Sequence, residues 1–387
     1  MAAPITWALQ SVPTYVDKIS QVRSFTRFRG KQNYLDDYSG TQLVVTISNN
    51  NNQIADWPVG QAFLLSYQAD RQFFWVSEVQ YDDAPGTNTS SGTNTNSTAT
   101  VILDDWMTRA GRIQVTNFAL TADFAFKQMY EQFTVASGAL PTGMDWIPTG
   151  ASNTTAAADT YTGTLAARIN TNLNTDFIGG QLYLEDNANR LRAAATAGTA
   201  VTNAVTLKPD KGAATGDKYV LYQQFKRISA GQNFLNTVTV DPPVVADQTA
   251  TNTASVTAYG ARFNSVTTVN NTVSEAQVRA QWLANSASDP NDLRFEVTFT
   301  DVMQVNAGVA SLVNNYAQGS IIYLEYVVPG TAVTTTETCS IEGISYSATP
   351  AQTVFTLYLS RMSVYAQFIL DSAQYGVLNQ NRLGVTF

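Results

Sequence analysis

Three adjacent carboxylate pairs are the residues best equipped for chemistry: Asp36-Asp37, Asp82-Asp83 and Asp104-Asp105. Hydrolysis of a glycosidic bond needs two carboxyl groups facing each other at roughly 5–10 Å. Neighbours on a strand point to opposite faces, so no pair supplies that geometry alone. Two pairs would have to converge across a sheet, and the plainer reading is turn and edge carboxylates. Glu185-Asp186-Asn187 resembles half a calcium loop but lacks the spaced acids and closing Glu of an EF-hand, so a tight turn accounts for it. Histidine is absent and Cys339 is the sole cysteine. A Ser-His-Asp or Cys-His nucleophile therefore cannot be assembled within one chain. Neither can a zinc site of His or paired Cys, nor an intrachain disulfide. Cys339 lies in an apolar β run and reads as a small core residue. No Gly-rich phosphate loop, nucleotide fingerprint or Lys-centred nucleophile motif occurs. The expectation is a non-enzyme with no catalytic, cofactor-binding or metal residues.

The 18 Tyr, 18 Phe and 6 Trp offer faces that stack on sugars, as in a lectin-like binder, or pack in cores and interfaces. Arg23, Arg27, Arg29 and Lys31 alternate along a probable strand. They read as a solvated strand face or as the mate of an acidic neighbouring subunit. The net charge of −8 argues against stable contact with nucleic acid. Only 13% of residues are charged, about half the usual share. A polar, sparsely charged surface is buried against a neighbour without desolvating many ions, which suits an assembly component. The amino terminus lacks a basic segment leading into a long apolar one, so no secretory signal is read. No apolar stretch reaches the roughly 20 residues that span a bilayer. The expectation is a soluble chain without a transmembrane segment, made in a cytoplasm.

The elements that hold these residues change along the chain. Residues 1–120 read as strands: Gln42–Ser48 is β-branched between Gly40 and an Asn run, and Phe73-Phe74-Trp75-Val76 is apolar enough to require a core or interface. Residues 86–98, all Gly, Thr, Asn and Ser, read as a mobile hairpin loop. Thr121 to Phe133 has helical spacing after a Thr cap. Leu165, Ile169 and Leu173 fall on one helix face that Gly179-Gly180 should end. Gln181–Leu184 and Arg190–Arg192 read as a strand pair. Strands resume at Lys218–Gln224 and Phe234–Val240. Ser274 to Leu283 is the clearest helix, capped by Ser274 with Val278, Trp282 and Leu283 as its stripe. From Asp292 to Ser360 the chain is again strand-like.

Two stretches repeat a pattern. Gly60–Tyr67, Phe74–Tyr81 and Val101–Asp105 form a Gly turn, a strand ending in Tyr, a second strand ending in Tyr and a third apolar strand. Gly319–Tyr326, Thr338–Tyr346 and Val354–Leu359 do the same. Two like β units in one chain imply a ring-forming part rather than a single catalytic cleft.

Several segments, in order, resemble the minor tail proteins of tailed bacteriophages that form the baseplate or tail-tip hub. They are Val22–Gly30 with Leu35–Thr41, Leu43–Asn52, Gly179–Tyr183, Asn236–Val240, Ser255–Arg262, the Ala-rich helix before Pro290, Ile341–Pro350, and Phe368–Leu378. The resemblance covers roughly residues 20–380. The chain departs from it after the Asn turn, at Asn50–Asn52, and in the acidic mid-chain turn, which lacks a Gly. In related hub proteins two similar β-barrels per chain assemble as a trimer, giving six barrels in a pseudo-sixfold ring.

The resemblance implies a mainly β, β-rich α+β chain. Its expected parts are a first β-barrel domain (1–120), an α+β middle domain (121–250), a second β-barrel domain with one helix (251–360) and a C-terminal arm (361–387). The arm's Tyr365, Phe368, Ile369, Leu370, Tyr375 and Leu378 need cover. The implied function is a structural hub at the distal tail end of the virion, adapting a sixfold tube to a threefold tip. Its implied partners are itself, as a homotrimer, the tail tube or distal tail protein, the tape measure protein, and tip or fibre proteins. A carbohydrate-binding tail adhesin is the alternative, and a tail-borne cell-wall glycosidase a third.

Overall fold

The structure, a computed structural model, describes residues 7–50, 52–67, 70–82, 97–134, 145–146, 154–176, 180–185, 190–195, 205–210, 219–229, 234–290, 293–302, 312, 320–361, 367–368 and 382–383. A short strand, β1 (Ala8–Val12), precedes β2 (Val22–Gly30), β3 (Gln42–Ser48), β4 (Ala62–Tyr67), β5 (Asp70–Asp82) and β6 (Thr98–Asp104). An α+β segment follows: helix α1 (Trp106–Arg112), β7 (Gln114–Leu120), β8 (Asp159–Thr164) and helix α2 (Leu165–Thr175). Next come β9 (Thr206–Lys208), β10 (Tyr219–Leu221) and β11 (Gln224–Ser229). A second α+β cluster holds β12 (Thr237–Asp241), β13 (Gln248–Thr251), helix α3 (Thr253–Tyr259), β14 (Phe263–Thr267) and helix α4 (Val273–Ser286). The chain closes its sheet with β15 (Leu293–Thr300), β16 (Ile321–Val327), β17 (Thr334–Ala348) and β18 (Thr353–Arg361). The protein is mainly β, a β-rich α+β fold built on one large mixed sheet.

Within that sheet the same five-strand unit occurs twice. The first has spatial order β4-β5-β6-β3-β2 and the second β16-β17-β18-β15-β11, with every neighbouring pair antiparallel. Numbering the strands of each unit by chain position gives the order 3-4-5-2-1 in both. The registers coincide as well. In the first unit the ladder between β5 and β6 breaks at a bulge between Val76 and Glu78, which face Leu103 and Ile102. In the second the ladder between β17 and β18 breaks between Ile341 and Gly343, which face Leu359 and Tyr358. The bulged residues, Ser77 and Glu342, each sit three residues beyond a pair with the preceding strand, Phe63 with Phe74 and Ile322 with Cys339. Following the ladders outward sets Val45-Thr46-Ile47 on Val297-Thr298-Phe299, and Phe25-Thr26-Arg27-Phe28 on Phe225-Lys226-Arg227-Ile228. A bulge raises local twist and is a built feature, so its recurrence in one register marks a duplication. The sequence repeat is thus extended by two strands, and its third segment shifts: Val101 corresponds to Leu357, not Val354.

Each unit rolls up. Lys18 N–H donates to Leu9 O (2.7 Å), tying the lead-in to β2 back to β1. In the second unit Tyr222 N–H donates to Lys208 O and Gln223 N–H to Thr298 O, so adjacent residues leading into β11 bond to β9 on one side and to β15 on the other. Phe225 then packs on Tyr326 with ring centroids 5.1 Å apart. Alternating burial along β3 and β6 sends Leu43, Val45, Ile47, Val101 and Leu103 inward, the period-2 pattern of a sheet with one covered face. The expected apolar segment Phe73–Val76 supplies Phe73, Phe74 and Val76 to buried positions.

Pairing assigns β11 to the second unit although it falls within 121–250. The α+β material therefore lies in two places, after β6 and between β11 and β15. Helix α2 forms as the spacing predicts, with Thr164 Oγ1 accepting from Ala167 N–H at its start and Leu165, Ile169 and Leu173 buried. Three local expectations differ. The helix expected from Thr121 begins at Ala125 and continues as a π-helix over Gln128–Thr134, because Asp123–Phe124 pair with Thr155–Ala156 as a short β ladder. Helix α4 is capped by Thr272, whose Oγ1 accepts from Glu275 N–H, rather than by Ser274. Its covered stripe is Ala276, Ala280, Trp282 and Leu283, with Val278 half-buried, because small alanines let the helix approach β12 and β13. In the arm, Gln367–Phe368 pairs in parallel with Arg382–Leu383; its other residues from 362 on, and loop residues 83–96, lie outside the described set.

The two units join through one ladder: Gly343–Ala348 of β17 pairs antiparallel with Phe25–Gly30 of β2. Trp7 bridges this junction, meeting Phe25 and Tyr346 edge-on at 5.5 Å each and donating Nε1–H to Thr353 Oγ1 at 3.1 Å. One hydrophobic cluster consequently runs through both units. A Cβ at Gly343 would lie 2.9 Å from Arg29 O, inside normal contact. Gly343→Val should therefore lower stability by about 1–3 kcal/mol or more, measured as a lower midpoint in urea with circular dichroism.

Candidate functional site at the junction of the two repeats

Of the residues that the sequence marked, Arg27, Arg29 and Lys31 lie at the junction, with Asp36 and Asp37 in the loop that follows it. Arg23 is exposed and donates to Ser48 Oγ at 2.9 Å. Arg27, Arg29 and Lys31 are buried, so the basic run is not a solvated strand face. It faces the second unit of its own chain. Arg27 stands opposite Tyr346 in the ladder, its guanidinium carbon 5.0 Å from that ring and 5.9 Å from the Phe74 ring. Guanidinium over aromatic faces is favourable, more so when water is excluded. Lys31 N–H donates to Glu342 O at 2.9 Å, and Lys31 Nζ lies over the Tyr38 ring at 4.6 Å. Burial lowers the Lys31 pKa below the ordinary lysine value, against the pull of the buried Glu342 carboxylate.

The loop after β2 ties three parts together. Asn33 Oδ1 accepts from Leu35 N–H and its amide donates to Asp36, an Asx-type turn. Tyr34 OH donates to Ser286 O on α4 and its ring meets Trp282 edge-on. Asn170 of α2 exchanges two bonds with the Tyr38 backbone, and Asn174 donates to Asp37 at 2.8 Å. A cleft of about 530 Å³ opens here, lined by Tyr34, Asp37, Asn170, Asn264, Arg279 and Leu283 among others.

The carboxylate pairs have structural partners. Asp105 caps α1, accepting from Thr108 N–H at 2.7 Å and from Thr41 Oγ1 at 2.8 Å. Burial pushes its pKa up despite those bonds. Asp104 accepts from Gln42 Nε2 and pairs with Arg112. Asp82 lies exposed at the end of β5; Asp83, Asp186 and Asn187 lie outside the described residues. Cys339 is buried, and desolvation pushes its thiol pKa up, as a core residue requires. Among the described residues no three His, Cys, Asp or Glu side chains gather as a metal site, and no helix is long and apolar enough to cross a membrane. Trp7, Trp57, Trp106 and Trp282 are buried, which removes them as sugar platforms.

The sequence reading missed Glu342 and the pairing of Arg27 with Tyr346. A signal existed: Phe25-Thr26-Arg27-Phe28 recurs as Phe225-Lys226-Arg227-Ile228.

No protein-family model matches the chain, and no curated protein matches its sequence. Solved structures do match. A tail protein from Neisseria meningitidis MC58 aligns with TM-score 0.64 and 8% identity over 94% of this chain and 98% of that one. The 43 kDa tail protein of prophage MuSo2 from Shewanella oneidensis aligns with TM-score 0.59 and 13% identity over 94% and 98%. The E. coli c3393 protein, described as a type VI secretion component structurally similar to T4 bacteriophage tail proteins gp27 and gp5, aligns with TM-score 0.52 and 9% identity over 92% and 75%. The chain has the fold of phage tail proteins.

Lys31→Met removes both the ammonium over the Tyr38 ring and the cost of burying it, so it should change stability in urea unfolding by no more than about 2 kcal/mol at neutral pH. A lowered lysine pKa makes the cost of burying its charge fully present below the folded pKa, and that cost relaxes as pH rises toward the unfolded value. The stability of wild type relative to Lys31→Met should therefore rise between neutral pH and about pH 10.

Proposed function

We propose that this chain is a structural virion protein, the hub at the distal end of a phage tail. Three copies form a ring that seats on the sixfold tube and presents a threefold tip. The observation that carries the reading is the duplicated five-strand unit, repeated down to the position of its bulge. A chain with two equivalent units offers six similar contacts from three copies, and so reconciles the two symmetries. The fold likeness to tail proteins supports the same assignment.

In this role each unit acts as one barrel of the ring. The α+β clusters extend outward, and the arm from residue 361 onward reaches a neighbour. The tail tube or distal tail protein lies on one side, with the tape measure protein in the lumen; tip or fibre proteins lie on the other. The work is mechanical: interfaces hold until host contact and then open for DNA passage. No chemistry is required, and the capping and turn roles of Asp36, Asp37, Asp104 and Asp105 favour this over the glycosidase reading.

Purified chain should sediment and scatter light as a species of three times the chain mass, and antibody to it should label the distal tail end of particles in electron micrographs. A monomer absent from particles would refute the assignment.

A further inference from the structure

The junction inside the chain uses one edge of each repeat and leaves the equivalent edges without a partner among the described residues. In the second unit, one edge of β17 pairs with β16 over Thr334–Ser340 and then with β2 over Gly343–Ala348. In the first unit, the matching edge of β5 pairs with β4 over Asp70–Trp75, and no described strand pairs with its continuation, Glu78–Asp82. The outer edge of β11, the counterpart of the β2 edge that β17 takes, is likewise the last in its run.

Exposure follows this asymmetry. Tyr346 at the filled junction is 1% exposed, and its counterpart Tyr81 is 63% exposed. Arg27 is 2% exposed, whereas its counterpart Arg227 is an exposed residue. Phe25 is buried and Phe225 only half-buried. Tyr81 and Arg227, counterparts of the two side chains that meet at the internal junction, are therefore present and exposed at the open edges, with Arg227 resting 5.6 Å from the Tyr326 ring of its own unit.

We infer that Val79–Asp82 of one copy pairs antiparallel with Lys226–Ser229 of a second copy, repeating between chains the ladder that β17 and β2 form within one. Carrying over the internal register, Ile344 opposite Arg29 through Ser347 opposite Thr26, sets four pairs between copies. They are Val79 with Ser229, Gln80 with Ile228, Tyr81 with Arg227, and Asp82 with Lys226. Tyr81 gains the guanidinium partner that Tyr346 has. Asp82 gains an ammonium group: Lys226 already reaches Glu296 at 2.8 Å, yet its side chain stays 68% exposed. Opposite charges directly across a ladder favour pairing, and an exposed strand edge is a template for strand addition. The contact is head-to-tail, using a different edge on each copy, so it propagates around a ring and closes when the rotation allows. This deepens the self-assembly reading above and rests on it.

Opposed residues on antiparallel strands have Cα atoms roughly 4.5–5.5 Å apart, within disulfide reach. Mixing Tyr81→Cys chain with Arg227→Cys chain under mild oxidation should give a reducible two-chain species. The double variant should give a closed multi-chain species, and Val79→Cys mixed with Arg227→Cys should give far less product. Cys339 is buried and does not compete. Lys226→Asp should weaken association about tenfold or more, and Asp82→Lys added to it should restore association. Circular dichroism of each variant checks that it folds. Oligomers by light scattering without the Tyr81–Arg227 cross-link would overturn this contact while leaving self-assembly standing, and a stronger off-register cross-link would overturn the register. A monomer at every concentration would overturn both.

Discussion

The ladder between β2 and β17 is the constraint on which the fold depends. A strand edge left in an apolar setting carries unmade backbone hydrogen bonds, each costly to bury. Pairing Phe25–Gly30 with Gly343–Ala348 satisfies them and turns two rolled sheets into one body. The ladder also dictates composition. Gly343 is forced by the approach of Lys31 O and Arg29 O, and its opposite number Gly30 holds a φ of 102°, a region that favours glycine. Once the strands are this close, long side chains at Arg27, Arg29 and Lys31 have no route to water and must find aromatic and acidic partners instead.

Those partners explain how a sparsely charged protein tolerates buried cations. Tyr346 and Phe74 receive Arg27, Tyr38 lies under Lys31, and Arg168 bonds to Asp159 while its guanidinium lies 5.2 Å from the Tyr161 ring. Isolated ions would be expensive here. Aromatic faces lower that cost and add packing area. The same logic accounts for the many Tyr and Phe residues without invoking a ligand: most described rings contact one another or a cation in the interior.

Much of this was legible in the sequence, and the rest was hidden for definite reasons. The β texture of both ends, helix α2 with its Thr164 cap, and the strand pair Gly180–Glu185 with Arg190–Ala195 followed from periodicity and turn residues. The repeat was visible where Gly and Tyr punctuate β4, β5, β16 and β17. It was hidden in β3 and β15, where the match is confined to a Val-Thr step, Val45-Thr46 against Val297-Thr298, too short to stand out before the ladders align it. The membership of β11 was not readable, because the α+β cluster of 234–290 separates it from β15. Local spacing also cannot reveal that a basic strand is buried: alternation at Arg27 and Arg29 looks the same against water or against Tyr346. The helix start at Ala125 depended on a two-residue ladder with Thr155–Ala156, a long-range contact without a local mark.

Fusing both halves of the junction into one polypeptide has a consequence for supply. Were the two units separate gene products, any imbalance in their synthesis would leave a surplus of one, with sticky margins and nothing to occupy them. Translation of a single message delivers donor and acceptor margins in equal number at the same place and time. A cell making the chain then never accumulates an orphan half.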